Sequence, residues 1–535
     1  MLKKALDFLK KHMGAKTVKS LLVISVFLAL LDLSNVVLPV FVGKFIDGIQ
    51  NGLFILSFPS IILGVYATVF VLQNILMYVY GISHYKAKNK LQSSIVNSII
   101  NLNPLDIKSR GEGFFAELME NTINAVMNIL TPVSIKKLFL CLQNFAVLAL
   151  LFFYNAVVGF VCLAVLLFYF IAFLITNNLF SKVLSEFIKK SSESTSVIFD
   201  FIKNNKSLVG NDKNIDFANR KIKKILDTTS KVEFKLQYIY DLIFNFLGNL
   251  IQPAVNLFII GFLGFQVVSG KASFGSLVVC VTYYNMLQKG LLSFQEMSEL
   301  IFHTNGALET IEEFLDDKKL LKRKNCVCDK TDYFYKFQNV SKKLGEKTIL
   351  ENFSIEMKNG KHYALKGISG AGKSTVINLL LGFEKSDCGE IAFLNDKNKI
   401  NDVWPLEKIA WFSQEAQIFN LPLHDNIFLG DDFDKAEYES LKALLNLETL
   451  ENRNLGSNGE HISGGEKQRV MLARFFHELK HKDYFVIDEG FIAVDKALKT
   501  KMLEMTFEAV KGKTGLCISH DDEVLSFLTD CEISV

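Results

Sequence analysis

From Leu138 to Ser181 the chain runs 44 residues without a charged side chain. A membrane span needs only about 20 apolar residues, so this run holds two spans back to back, and "FYNA" at Phe153 to Ala156 supplies the turn between them. Lys136 and Lys137 precede the run and Lys182 follows it. Both ends therefore lie on one side, and the positive-inside bias makes that side the cytoplasm.

The same reading predicts a span near residues 19–43, a second near 55–83, a fifth near 238–267 and a sixth near 274–297. Six spans return the chain to the cytoplasm. With half of 535 residues hydrophobic and a mean hydropathy of +0.25, the chain is too apolar for an ordinary soluble protein and too long for one domain. The outer loops are short and nearly uncharged, whereas 84–136 and 182–237 are lysine-rich and helical in pattern, which predicts helices running on beyond the bilayer. "MLKKALDFLKKHMGAK" has no short apolar core or cleavage site after it and reads as an amphipathic interfacial helix leading into span one.

After about residue 315 the composition changes. "DDKKLLKRKNCVCDK" is a charged linker, and beyond it short apolar runs alternate with helix-length patterns, the signature of an α/β domain. The expected organisation is an all-α, six-helix transmembrane domain over 1–318, a linker over 319–334, and an α/β domain over 335–535, whose motifs, taken next, make it a phosphate-loop ATPase domain. Cys326 and Cys328 form the one close cysteine pair, a weak metal signal without a histidine or second pair beside it; reduced thiols are the plainer reading. A net charge of +3 gives no case for nucleic acid. "NVS" at Asn339 lies on the cytoplasmic side and is a glycosylation pattern only in name.

The chemistry begins at "HYALKGISGAGKSTVINLLLG". A short apolar strand leads into Gly367, Ile368, Ser369, Gly370, Ala371, Gly372, Lys373 and Ser374, then Thr375 and an apolar-periodic helix, the full GxxxxGK[ST] loop in its strand–loop–helix setting. Gly370 and Gly372 let the backbone wrap phosphates, Lys373 reaches the β and γ oxygens of ATP, and Ser374 offers a hydroxyl to Mg²⁺. "DYFVIDEG" lies 115 residues on, counting Lys373 to Asp488. A buried strand delivers two carboxylates at its C-terminal edge, pointing to opposite sides. Asp488 then holds the Mg²⁺ shell while Glu489 faces the attacking water.

Phosphate loop, "WFSQEAQIF", "ISGGEKQR", "YFVIDE" and "CISHDDE", in this order behind six spans, resemble an ATP-binding cassette exporter half-transporter. The resemblance extends to "LPVFVGKFID" at Leu38 to Asp47 in span one. It implies a head-to-tail dimer in which the phosphate loop of one subunit and the "SGG" helix of the other enclose each ATP. Ser463, Gly464, Gly465 and Glu466 would then serve the nucleotide held by the partner. The resemblance also implies that Gln414 senses Mg²⁺ and the attacking water, and that His520 holds the γ-phosphate.

Some positions depart from the family. Leu344 stands where an adenine-stacking aromatic is expected, Ser457 where a glutamate is common, and "IAVD" keeps Ala493 and Asp495 but has Ile492 for serine. Fifteen residues follow His520, fewer than the family's usual strands and helix.

In span five Asp241, Asn245, Asn249, Gln252 and Asn256 fall on one face of a continuous helix. Tyr284, Gln288 and Gln295 make a weaker stripe in span six, near Lys289 and Glu296. Two readings stand side by side: a polar lining for a central cavity, or hydrogen bonds between spans. Asp32, the lone charge in the middle of a span, is expected to pair with one of the span-six groups. The elbows Pro104–Phe115 and Val209–Arg220 are expected to rest on the nucleotide domains.

The sequence therefore points to ATP-driven export across the cytoplasmic (inner) membrane by a homodimer, with ATP and Mg²⁺ as cofactors and a small-molecule, lipid or peptide cargo. Alternatives are one complete half of a heterodimer, and an ATP-gated channel or regulator that does not pump.

Overall fold

A computed structural model describes residues 2–52, 57–110, 112–246, 250–315, 333–368, 370–395, 398–400, 406–451, 453–489 and 496–534. Ser369, Asn249, Ile492, Ala493, Asp495, Cys326 and Cys328 fall outside these residues, as do the side chains of Asp241, Asn245 and Gln295. The chain forms two compact units, Met1–Leu320 and Leu321–Val535.

Unit one is helical. Its elements are α1 (Leu2–Met13), α2 (Ala15–Asp32), α3 (Ser34–Gln50), α4 (Ser57–Ile100), the short α5 (Pro104–Arg110), α6 (Glu112–Glu117) and α7 (Ile123–Met127), then α8 (Pro132–Tyr154), α9 (Ala156–Lys203), α10 (Asp212–Phe246), α11 (Gln252–Val268) and α12 (Phe274–Phe314). The starts follow capping rules. Thr131 accepts from the Ser134 amide with Pro132 behind it, Asn155 accepts from Val157 and Val158, and Ser273 accepts from Ser276. Asn155 thus makes the expected turn between spans three and four.

At 44, 48 and 41 residues, α4, α9 and α12 reach roughly 60–70 Å. That is about twice the hydrocarbon thickness, so they extend well past it. Among the described residues, Ala15–Gln50, Pro59–Ile100 and Pro132–Tyr154 are long and apolar enough to cross a membrane, with shorter apolar helices at Ala156–Ala172 and Gln252–Val268.

Span one runs as one apolar stretch, Ala15–Gln50, with Leu33 in helical φ/ψ as the turn residue joining α2 to α3. In span five Leu250 and Ile251 are π-helical and α11 begins at Gln252; a π turn shifts the phase of the side chains, so the straight-helix phase does not hold through those two residues. One expectation changes here, at α1. Its apolar face does not lie in a membrane interface: Ala5, Phe8, Leu9 and Met13 are buried with Leu91, Ile95, Leu308 and Ile311 in one cluster of α1, α2, α4, α7 and α12.

The span-one pattern "LPVFVGKFID" has a packing reason. Asp47 accepts from the Ser273 hydroxyl at 2.8 Å and from the Gly275 amide at 2.7 Å, tying the end of α3 to the start of α12. A Cβ on Gly43 would meet Val279 at 2.5 Å, so only glycine admits this approach.

Unit two has two sheets. β1 (Tyr333–Leu344), β2 (Lys347–Met357), β4 (Cys388–Asn395) and β5 (Asn398–Ile400) form an antiparallel sheet in the order β2-β1-β4-β5. β3 (His362–Lys366), β6 (Ile409–Phe412), β7 (Tyr484–Asp488), β8 (Thr514–Ile518) and β9 (Cys531–Ser534) form a parallel sheet in the order β6-β7-β8-β3-β9. β8 is buried throughout, as a parallel strand covered on both faces must be. The helices are α13 (Lys373–Leu380), α14 (Leu423–Phe428), α15 (Lys435–Leu444), α16 (Gly464–Leu479), α17 (Lys496–Val510) and α18 (Asp522–Leu528).

Candidate active site

In an open parallel sheet, ligands gather beyond the C-terminal ends of the strands. Four such ends lie side by side here. β6 leads to Gln414, β7 ends on Asp488, β8 is followed by His520, and β3 runs into the phosphate loop.

The loop turns at Gly370 and Gly372, with φ of 84° and 104°, values that strain any residue with a Cβ. Space forbids one at Gly372 as well, because a Cβ there would stand 2.9 Å from Ile349. Lys373 opens α13 and is buried; its Nζ donates to the carbonyl oxygens of Gly367 at 2.7 Å and Ile368 at 3.4 Å. Ser374 is exposed and Thr375 half-buried on the first turn. A glycine loop, a helix N-terminus and a lysine together fit a polyphosphate.

Asp488 is the last residue of β7. Burial, with Glu489 adding to it and Lys373 opposing it, pushes its carboxyl up to about 6. A half-buried carboxyl with so little positive charge beside it fits a divalent cation, which would supply the missing charge.

Glu489 does not continue the strand alternation expected for two adjacent carboxylates. It turns to a φ of 51°, a left-handed value uncommon outside glycine, and its amide donates to Ile518 O at 2.9 Å. That turn aims the carboxylate between two neighbours. Gln414 Nε2 donates to Oε2 at 2.6 Å, and His520 Nε2 lies 3.2 Å from Oε1. The sequence reading assigned Gln414, Glu489 and His520 separately; the fold joins them through one carboxylate.

The second glycine stretch opens α16. Ser463 is the N-cap, and with Glu466 it forms a reciprocal capping box. Glu466 accepts from the Ser463 amide and hydroxyl, both at 2.8 Å, and the backbone bond above all holds its carboxyl below the usual range. Glu466 is thus occupied in shaping the turn. Ser463 and Gly464 are exposed, Gly465 is half-buried, and nothing lies within 4 Å of a Cβ placed on Gly464.

Sequence reasoning missed what links this helix to Gln414. Arg474, buried on α16, donates to Asn426 O at 2.7 Å and Gln417 O at 2.9 Å. Asn426, fully buried, accepts from the Phe419 amide and donates to the carbonyls of Phe419 and Leu421. Together they fix the segment after Gln414 onto α16. The available signal was a lone arginine inside the apolar run "VMLARFF".

Leu344 is 63% exposed at the end of β1, opposite Lys347.

In unit one the pathway candidates divide. Tyr284 is buried in the packing of α8, α9, α11 and α12, and Gln288 is buried one turn on along α12. Asn256 donates to Asn285 Oδ1 at 3.3 Å, a bond from α11 to α12. Gln252 is half-buried one turn away. A cleft of about 220 Å³ opens elsewhere, between α3 and α4, lined by residues such as Asn35, Leu38, Phe41, Ile62 and Tyr66. Asp32 does not pair with span six. It binds Lys136 at 2.8 Å and Gln73 at 3.0 Å, while Glu296 takes Lys137, because α2 packs against α4 and α8 and places Asp32 beside their side chains.

Comparison with known proteins follows the same division. The family described as "ABC transporter transmembrane region" matches residues 21–291, and "ABC transporter" matches residues 350–491. A protein of Rickettsia typhi named "Putative export ATP-binding/permease protein" is 28% identical over 365 residues, covering 64% of this chain and 62% of its own. A Rickettsia conorii protein of the same description is 28% identical over 362 residues, 63% and 61%. The chain therefore spans about 62% of the length of these relatives. The structure of a bacterial Atm1-family ABC exporter with ATP bound shares the fold, with a TM-score of 0.81 and 17% identity over 97% of this chain and 94% of that one. With a helical transmembrane region and a phosphate-loop α/β domain on one chain, both matched, the protein belongs to the ABC transporter family.

Proposed function

We propose that the chain is an ATP-driven exporter of the cytoplasmic membrane that works as a homodimer, hydrolysing ATP at two sites shared between subunits. The observation that carries this reading is the Glu489 carboxylate held between Gln414 and His520 at the mouth of the phosphate loop.

The roles follow from the atoms. ATP is the substrate, and Mg²⁺ would supply positive charge against its phosphate oxygens. Lys373 leaves the carbonyls of Gly367 and Ile368 for phosphate oxygens, while Ser374 and Asp488 would hold the metal. Glu489 accepts the proton of the attacking water. Gln414 fixes one carboxylate oxygen and so directs the other, and His520, at the second oxygen, is placed to meet developing phosphate charge. Ser463 and the glycines after it, rigid in their capping box, serve the partner's nucleotide. Two phosphate-binding loops in one chain are then needed because each serves a different ATP.

An exposed Leu344 in place of an adenine-stacking aromatic favours, as a second reading, a heterodimer in which the other half carries the tighter site.

The test is ATP hydrolysis by the chain purified alone in lipid vesicles, beside Glu489→Gln. Turnover by the wild type with nucleotide trapping by the variant supports the homodimer. A silent wild type that still binds ATP moves the reading to a heterodimer.

A further inference from the structure

An amphipathic helix held on a bilayer inserts its apolar face among the lipid tails. In α1 that face is already spent on protein, with Ala5, Phe8, Leu9 and Met13 at most 9% exposed. What α1 and the first turns of α2 turn outward is cationic. Lys3, Lys11, Lys16 and Lys19 are exposed, with no ion-pair partner among the described residues, whereas Lys4 and Lys10 are taken by Glu312 and Asp7. Lys90 joins them from α4, its Nζ 3.4 Å from where a side chain on Gly14 would begin. His12 turns inward to Ser94 at 2.9 Å, and burial together with Lys11 holds its imidazole below the usual range. The charge of this face therefore comes from lysines.

Its depth follows from helix length. Asp47 marks the far end of span one, beside the α11–α12 turn. Lys19 is 28 residues from it, about 42 Å along the helix, close to the 40–45 Å of a bilayer with its headgroups. Counted at the same rise, Lys16 lies about 5 Å, Lys11 about 12 Å and Lys3 at most about 24 Å beyond Lys19, so Lys16 and Lys11 come within about one Debye length of that layer.

We propose that the lysine face of α1 and early α2 binds the phosphates of anionic glycerophospholipids in the cytoplasmic leaflet. The N-terminal helix is then an electrostatic lipid contact and not an inserted anchor. The choice of leaflet rests on the orientation proposed above; the lipid contact does not.

The test uses full-length protein in neutral detergent with equal phosphatidylcholine and phosphatidylglycerol, and counts retained lipids by native mass spectrometry. The expected result is an excess of phosphatidylglycerol at about 0.15 M salt that disappears at about 0.5 M. The excess falls about threefold or more in K3Q/K11Q/K16Q/K19Q and survives when the same four become arginine. A thermal unfolding midpoint in neutral detergent equal to that of the wild type shows that the glutamine variant is folded; if it shifts, K11Q/K16Q alone carries the comparison. Equal retention of both lipids by the wild type, or an excess that the glutamine variant keeps, overturns the proposal. Because the readout is lipid retention, silence in the ATP assay bears on the proposed function and leaves this inference standing.

Discussion

Gln414 donates its side-chain N–H to Glu489 at 2.6 Å, although 75 residues separate them in the chain. If the bond exists to direct the carboxylate, the two residues act as a unit and their losses do not add. Glu489→Gln is expected to lower kcat by about 100-fold or more, and Gln414→Ala by about 10-fold or more. The double variant should turn over no more slowly than Glu489→Gln alone. Additive losses in a steady-state double-mutant cycle would show that Gln414 acts elsewhere.

Asp488 gives a pH signature. Its carboxyl is raised to about 6 by burial and by Glu489, above the ordinary value of about 3.9. The stability this group contributes is therefore present below about pH 4 and lost as pH rises through about 6. Metal binding runs the other way, because the carboxylate is the form that serves a cation and protons compete with it. The Mg²⁺ concentration for half-maximal ATP turnover is expected to rise roughly tenfold per pH unit below about 6. Mg²⁺ titrations at several pH values measure it, and a flat profile removes Asp488 from the metal shell.

Arg474 is predicted to couple the Gln414 segment to α16. Desolvation brings its guanidinium down to about 10, a cost offset by carbonyl acceptors on Asn426 and Gln417. Arg474→Met leaves those acceptors unpaired, at about 1–3 kcal/mol for each that stays buried. Both the thermal unfolding midpoint and kcat should fall. Arg474→Lys should not rescue them, since an ammonium cannot reproduce the forked geometry. Rescue by lysine would leave charge alone as the requirement.

At the far end of span one, Gly275 has no room for a side chain: a Cβ would lie 2.3 Å from Gly43 O and 2.6 Å from the Asp47 carboxyl. Gly275→Ala and Asp47→Ala are both expected to loosen α3 from α12 and to lower the melting temperature in detergent. Because they break the same contact, their effects should be less than additive. A Gly275→Ala variant as stable as the wild type would remove the clasp.

Leu344→Tyr is expected to tighten ATP binding. An aromatic stack adds about 0.5–1.5 kcal/mol, or roughly two- to tenfold in Kd. Equilibrium binding with the Glu489→Gln background, which prevents turnover, makes the measurement; no change would mean that the base lies away from β1.

Much of this protein was legible one residue at a time. An uncharged run of 44 residues can only be buried in lipid or protein, and the offsets of Gly372, Lys373 and Ser374 encode a phosphate loop whatever surrounds them. Signals of that kind are local, since capping, chain length and loop chemistry depend on near neighbours. A π turn, as at Leu250 and Ile251 in span five, is not of that kind: it is set by packing that no periodicity reports.

By itself the sequence determined the two-part architecture, the phosphate loop and the carboxylate pair, because each rests on local pattern and spacing. Only the tertiary structure decided that Asp32 pairs with Lys136, that α1 spends its apolar face on protein, that Arg474 holds the segment after Gln414, and that one carboxylate gathers Gln414 and His520. Those relationships join residues far apart in the chain, and strand order and helix packing, not local propensity, choose which distant side chains meet.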